Sequence, residues 1–291
     1  MSNRRDVLLT GVPRSGTTLV CELLNRLPDT VALDEPMDVE LLTGHPRRPG
    51  VHWEPSDEPP DQTLICDRIE KFLGEIRHSI ATTKTAISHQ VDGRISGGRM
   101  SADHGETGLR AALATRDEIH VDKPLSQDFL LVAKHPAAFA AIAETASKRF
   151  PLFAVVRNPL FVLTSWQSVP ILVREGHHPV AERIEPRLGE VLFRIDDRHD
   201  RQIHLLAWFF DKFQTYLPES RIIRYESIVA SPNDALRAIT DEAAGLGQLE
   251  SRNRADLYDR EQMRALGERL LESDGPYWDF YTRESVELLL S

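Results

Sequence analysis

The chain has 291 residues, 41% of them hydrophobic, enough to bury a full core. A formal charge of −10 speaks against a nucleic-acid or anionic-membrane partner, so any anion site has to be built from local cations. Cys21 and Cys66 set up no disulfide framework, no apolar stretch approaches the roughly 18 residues of a membrane span, and the first residues lack the apolar segment of a secretory signal; a soluble, cytoplasmic protein is expected.

The first predicted element is an apolar run from Val7 to Gly11, followed by a small-residue loop and an apolar-periodic segment from Leu19 to Leu27. Strand, loop and helix in this order leave the backbone amides between Gly11 and Thr18 without intrahelical partners, where the helix dipole is positive. Phosphate or sulfate is the natural occupant. The spacing of Gly11 and Gly16 matches the start of a nucleotide phosphate loop. Thr17, however, stands where a lysine would reach the β- and γ-phosphates, and the loop's cation is Arg14. An anionic donor other than ordinary ATP is favoured, with a plain strand-to-helix turn as the alternative.

Pro28 and Asp29 lead into a second short strand, Val31 to Leu33, which ends in Asp34, Glu35 and Pro36. Pro and Gly crowd residues 44–60, predicting irregular structure, and Leu64 to Ile80 has helical periodicity. Residues 92–108 are Gly-rich with almost no large apolar side chains; a mobile loop is expected there, covering an acceptor or simply solvated. Phe129 to Ala133 reads as a strand, Ala137 to Lys148 as an Ala-rich helix, and Phe153 to Val156 as a strand ending at Arg157. Pro159 suits the first turn of the next helix, placing Ser165 two turns in. The repeated strand-helix order predicts a parallel α/β sheet. His177 and His178 fall in 170–200, where a solvated loop is expected rather than a metal site. Ile203 to Leu217 predicts a buried helix, and 233–291 reads as mainly helical with a turn at Asp274, Gly275 and Pro276.

Three of these stretches resemble the sulfotransferases that use 3′-phosphoadenosine 5′-phosphosulfate (PAPS). Pro13, Arg14, Ser15, Gly16, Thr17, Thr18 and Leu19 are similar to the family's 5′-phosphosulfate loop, with Arg14 as in the tyrosylprotein and many bacterial members. Arg157 and Ser165 resemble its 3′-phosphate pair, and Tyr225 with Glu226 its Tyr-Glu turn, whose Tyr contacts the adenine. The resemblance covers residues 7–36, 129–169 and 221–239. It implies an α/β fold with a P-loop-type parallel sheet flanked by helices, in a single domain 1–291, because motifs from both ends have to meet at one nucleotide. The chain departs from the family at Leu19, where cytosolic members carry an aromatic residue, and in lacking their C-terminal Arg-Lys-Gly. Arg252 or Arg254 is the candidate substitute for that cation.

The activity implied is transfer of a sulfuryl group from PAPS to a hydroxyl or amine of a small molecule or saccharide, releasing 3′,5′-adenosine bisphosphate, with no metal expected. Pro13, Arg14, Ser15, Gly16, Thr17, Thr18, Arg157, Ser165 and Tyr225 would hold the nucleotide, and Arg14 would also stabilise the leaving phosphate. Glu35 matches the placement of the catalytic Glu of tyrosylprotein members, and His135 is the second candidate base. Lys134 is assigned to the sulfate, with Lys123 as the alternative. A nucleotide kinase-like or non-catalytic nucleotide-binding protein is the competing reading. Against a kinase, the strand at 153–156 ends in Arg157 rather than in the Asp that holds Mg²⁺.

Overall fold

Apolar runs that lie between two helical layers become strands buried on both faces, and five such runs make the central sheet. The computed structural model describes residues 5–44, 58–96, 98–105, 108–251, 253–254 and 257–291. From β1 (Arg5–Gly11) the chain enters α1 (Thr17–Arg26), returns along β2 (Thr30–Asp34) and passes α2 (Val39–Thr43) to α3 (Gln62–Thr83). Then come β3 (Thr85–Gln90), β4 (Met100–His104), β5 (Arg110–Ala112) and β6 (Thr115–His120). The chain continues through β7 (Leu130–Lys134), α4 (Pro136–Ala141), α5 (Ala143–Arg149), β8 (Leu152–Val156) and α6 (Pro159–Gln167). Next are α7 (Pro179–Ile184), α8 (Pro186–Phe193), α9 (Arg198–Tyr216), β9 (Ile222–Arg224), α10 (Tyr225–Ala230), α11 (Pro232–Leu236), α12 (Arg260–Glu272) and α13 (Arg283–Leu290).

The central sheet has the order β2-β7-β1-β8-β9, and its four pairings are all parallel. Alternate residues of β1 face opposite layers: Leu8 packs with α3, α4, α6 and α9, while Val7 and Leu9 pack with α1, α10 and α11. This is a single α/β domain with helices on both faces of a parallel sheet. After β1 the chain builds the sheet to one side (β2, β7) and then to the other (β8, β9). The crevice of such a sheet opens at the carboxyl end of the strand where the direction reverses, here β1.

Several expectations change. The helix expected over 137–148 is split at Ile142 into α4 and α5. The segment 170–200 forms α7 and α8, each opened by a proline at the first helical turn, rather than a loop. His177 Nδ1 there lies 3.1 Å from the buried Glu182 carboxylate. After α11 no regular helix forms until α12 among the described residues, where Gly245 and Gly247 interrupt the pattern. Two antiparallel pairs, β3 with β6 and β4 with β5, stand where no strand was expected. β6 carries Arg116, Asp117 and Glu118 on a largely exposed strand, so alternation of apolar residues is missing from its sequence. Of the stretches expected to be irregular or mobile, residues 45–57, 97, 106 and 107 lie outside the described residues.

Candidate active site

At the end of β1 the loop is shaped by close approaches that side chains would block. A Cβ on Gly11 would lie 2.5 Å from the Val155 carbonyl oxygen, and one on Gly16 would lie 2.8 Å from the Tyr225 ring. Gly16 is also left-handed, at φ +99, and Arg14 adopts φ +74, a conformation that costs an L-residue roughly 1–2 kcal/mol. Tertiary bonds hold that strain. Ser15 Oγ donates to the Val155 carbonyl at 2.8 Å, and the indole N–H of the fully buried Trp166 on α6 donates to the Pro13 carbonyl at 2.8 Å. No side chain caps α1, so its first-turn amides face the crevice.

α6 and β8 bring the second group. Arg157 follows β8, Asn158 caps α6 by accepting from the Leu160 amide at 3.0 Å, and Ser165 lies on α6 facing the loop. Arg14 Nε donates to Ser165 Oγ at 3.2 Å, and an Arg157 guanidinium N–H donates to the Arg14 carbonyl at 3.2 Å. Arg157 stacks over Tyr225 (4.7 Å to the ring centre) and Phe161 (5.4 Å), and its Nε donates to Asn253 Oδ1 at 2.6 Å. Asn253 is in turn held by Glu226, whose carboxylate also accepts from the Asn158 amide and the Tyr281 hydroxyl. Thus loop, β8, α6, α10 and the segment before α12 converge on one pair of guanidinium groups.

The third group is an ionic cluster at the ends of β2 and β7, adjacent strands in register at Asp34 and Lys134. The Lys134 ammonium is 2% exposed and donates to Asp34 Oδ1 (2.6 Å), Glu35 Oε1 (3.0 Å) and Thr18 Oγ1 (3.3 Å). Burial works against its charge, but the Asp34 and Glu35 carboxylates prevail and raise its proton affinity. Glu35 sits at φ +48, with its amide fixed on the Lys134 carbonyl at 2.8 Å. Arg99 adds a second cation, its Nη1 donating to Glu35 Oε1 at 2.7 Å and its Nε lying 3.6 Å from Asp34 Oδ2. Burial pushes the Glu35 carboxyl up, yet Lys134 and Arg99 hold it well below the usual carboxylate range. His89 on β3 approaches the same carboxylate at 4.0 Å, and burial lowers its proton affinity.

His135 is beside this cluster but turned away from it. Its Nε2 accepts the Met37 amide at 3.0 Å, its ring meets Phe139 edge-on at 5.3 Å, and burial pushes it down to about 3. Lys123 is elsewhere, donating to the Asn25 and Leu27 carbonyls at the end of α1. Tyr225 forms a wall against Gly16 and Arg157. Arg252 lies outside the described residues, and Asn253 lies beside Arg157. Arg99, Asp34 and Asn253 were not singled out as site residues in the sequence, although Asp34 directly precedes Glu35, and Glu226 entered only as part of the Tyr-Glu turn. Among the described residues no group of three or more His, Cys, Asp or Glu side chains is arranged to hold a metal ion, and no helix is long and apolar enough to cross a membrane.

No family model and no curated protein matches the chain. Among solved structures it is similar to a sulfotransferase from Alicyclobacillus acidocaldarius (12% identity, TM-score 0.41, covering 96% of this chain and 100% of that one). It is also similar to the sulfotransferases STF9 from Mycobacterium avium (15% identity, TM-score 0.35, 97% of this chain and 78% of that one) and STF1 from Mycobacterium tuberculosis (14%, 0.35, 99% and 76%). Similarity this distant assigns neither a family nor an activity to the chain.

Proposed function

We propose that the chain is a sulfotransferase that moves a sulfuryl group from PAPS to a hydroxyl or amine of a small-molecule or saccharide acceptor, releasing 3′,5′-adenosine bisphosphate. The observation that carries this reading is the meeting, at one crevice, of an uncapped helix start with two kinds of cation. Arg14 and Arg157 stand on one side, and Lys134 stands with a carboxylate on the other. The left-handed loop and the amides of Thr17 and Thr18 fit a phosphosulfate, and Arg157 with Ser165 fits a 3′-phosphate. Tyr225 closes the wall behind both.

The chemistry follows from these placements. The acceptor oxygen forms a bond to sulfur as the bond from sulfur to the bridging phosphate oxygen breaks, the acceptor loses its proton, and charge develops on the leaving phosphate. Loop amides and Arg14 are the donors prepared for that charge. Glu35 is the better base of the two candidates. Its carboxylate is partly exposed toward the crevice, whereas His135 has Nε2 engaged by Met37 and a buried ring. At rest Glu35 is a weak base because two cations hold it. When Lys134 turns toward a sulfonate, Glu35 loses part of that hold and gains proton affinity where the acceptor proton has to go. The reading is tested by a radiolabelled-PAPS transfer screen across phenols, sugars, steroids and amines. Labelled product with at least one class is expected, and no transfer to any class, together with no bisphosphate binding, overturns it.

A further inference from the structure

The three N–H bonds of the Lys134 ammonium are all engaged, on Asp34, Glu35 and Thr18. To reach any ligand it has to release one of them. Asp34 is 1% exposed and would be left as a buried charge without its closest partner, so that bond is the one to keep. The bonds that can yield are those to Thr18 and Glu35. A second cation on Glu35 then decides what the carboxylate does when Lys134 leaves it.

That cation is Arg99, which no local pattern marks in the sequence. Its backbone is anchored away from the cluster: the Arg99 carbonyl accepts the amides of Leu113 and Ala114 at 2.9 and 3.3 Å, and Arg110 on β5 donates its amide to the Ser168 carbonyl at the end of α6 at 2.9 Å. The β4-β5 pair is therefore tied to α6, which carries Ser165, while its first strand begins directly after Arg99 at Glu35. Because a guanidinium is planar with several fixed donors, Arg99 can address both neighbouring carboxylates from one position.

We propose that Arg99 is a positioning residue for Glu35: it holds the carboxylate in its acceptor-facing orientation when the Lys134 ammonium is drawn to the donor. This rests on the sulfuryl-transfer reading above. The charged and titratable groups that face Glu35 are Lys134 at the end of β7, Arg99 before β4, His89 on β3, His135, its neighbour Asp34, and, more remotely, Cys21 on α1 and His178 at the start of α7. Removing Arg99 leaves one ammonium shared by two carboxylates, so Glu35 takes up its proton at higher pH.

The test compares the full-length chain with Arg99→Met, which keeps an unbranched apolar stem, and Arg99→Lys, which restores charge without the planar fork. With PAPS and an acceptor active in the screen, the acid limb of kcat in Arg99→Met is expected to move up by about one to three pH units, with Arg99→Lys returning it most of the way. Affinity for 3′,5′-adenosine bisphosphate should change little in either variant. An acid limb that stays in place in a folded Arg99→Met protein overturns the proposal. If the wild-type chain transfers nothing, the sulfuryl-transfer reading has failed, and the Glu35 carboxyl is followed directly by ¹³C NMR, assigned with Glu35→Gln. A titration unchanged by Arg99→Met then overturns the Arg99 role independently, whereas an upward shift that Arg99→Lys reverses supports it.

Discussion

The two halves of the crevice hold their cations differently. Arg14 and Arg157 meet a hydroxyl, an amide oxygen, a backbone carbonyl and aromatic rings, whereas Lys134 and Arg99 meet carboxylates at 2.6–3.0 Å. A phosphate is a stronger partner for a guanidinium than a serine or an asparagine, so on the proposed reading a bound anion would take the place of those contacts. In the second half the ions set one another's proton affinity.

This contrast is broken most directly at Glu35. Glu35→Gln keeps the side-chain size and part of the hydrogen bonding but removes the basic oxygen, so turnover should fall by roughly 10²- to 10⁴-fold. Calorimetry should show little change in bisphosphate affinity. Near-normal turnover would move the base to another group.

Arg14 tests the boundary between the halves, because its Nε lies on Ser165 while its loop faces the reacting end. If it stabilises the leaving phosphate, Arg14→Met should lower turnover by about 10²- to 10³-fold at saturating donor. A loss confined to donor affinity would place Arg14 wholly with Arg157 and Ser165.

For the binding half alone, Arg157→Ala should weaken 3′,5′-adenosine bisphosphate about 10- to 100-fold, the size of a lost hydrogen bond to a charged group. Saturated turnover should be nearly spared, because a remote contact supplies mainly uniform binding. The same titration with 5′-AMP should show weak binding that the mutation hardly alters. Equal wild-type affinity for the two nucleotides would remove the 3′-phosphate from the assignment.

The smallest effect belongs to His135, whose prediction concerns stability. Removing the ring leaves the Met37 amide without its acceptor, and His135→Ala should cost about 1–3 kcal/mol at pH 7 with turnover changed less than in Glu35→Gln. Its folded-state value is depressed to about 3, against about 6.5 in an unfolded chain. On acidification the unfolded state therefore binds the proton first. The contribution is fully present above pH 6.5 and is lost as pH falls toward 3. Melting temperature followed from pH 7 to pH 4 should accordingly fall less steeply in the variant than in the wild type.

The loop from Gly11 to Thr18 was legible because its shape is local: two glycines, an uncapped helix start and an arginine form a contiguous pattern. The strands at β1, β2, β7 and β8 were legible for a related reason, since burial on both faces demands unbroken apolar runs. Sequence order also placed Glu35 and Lys134 at strand ends, and parallel pairing of those strands brings them together. What it did not contain was the partner of each charge. Arg99 and Asn253 carry no local signature, and β6 is too polar to look like a strand because most of it faces water. His135 was the second candidate base in the sequence, and the fold aims its ring at Met37 and Phe139. Periodicity and motif spacing depend on a few neighbouring residues, so the sequence alone determined the buried strands of the central sheet and the strand-loop-helix order at Gly11 to Thr18. Side-chain protonation and ion pairing depend on distances of a few ångströms between residues far apart in the chain, 99 positions for Lys134 and Glu35, and those only the tertiary structure decided.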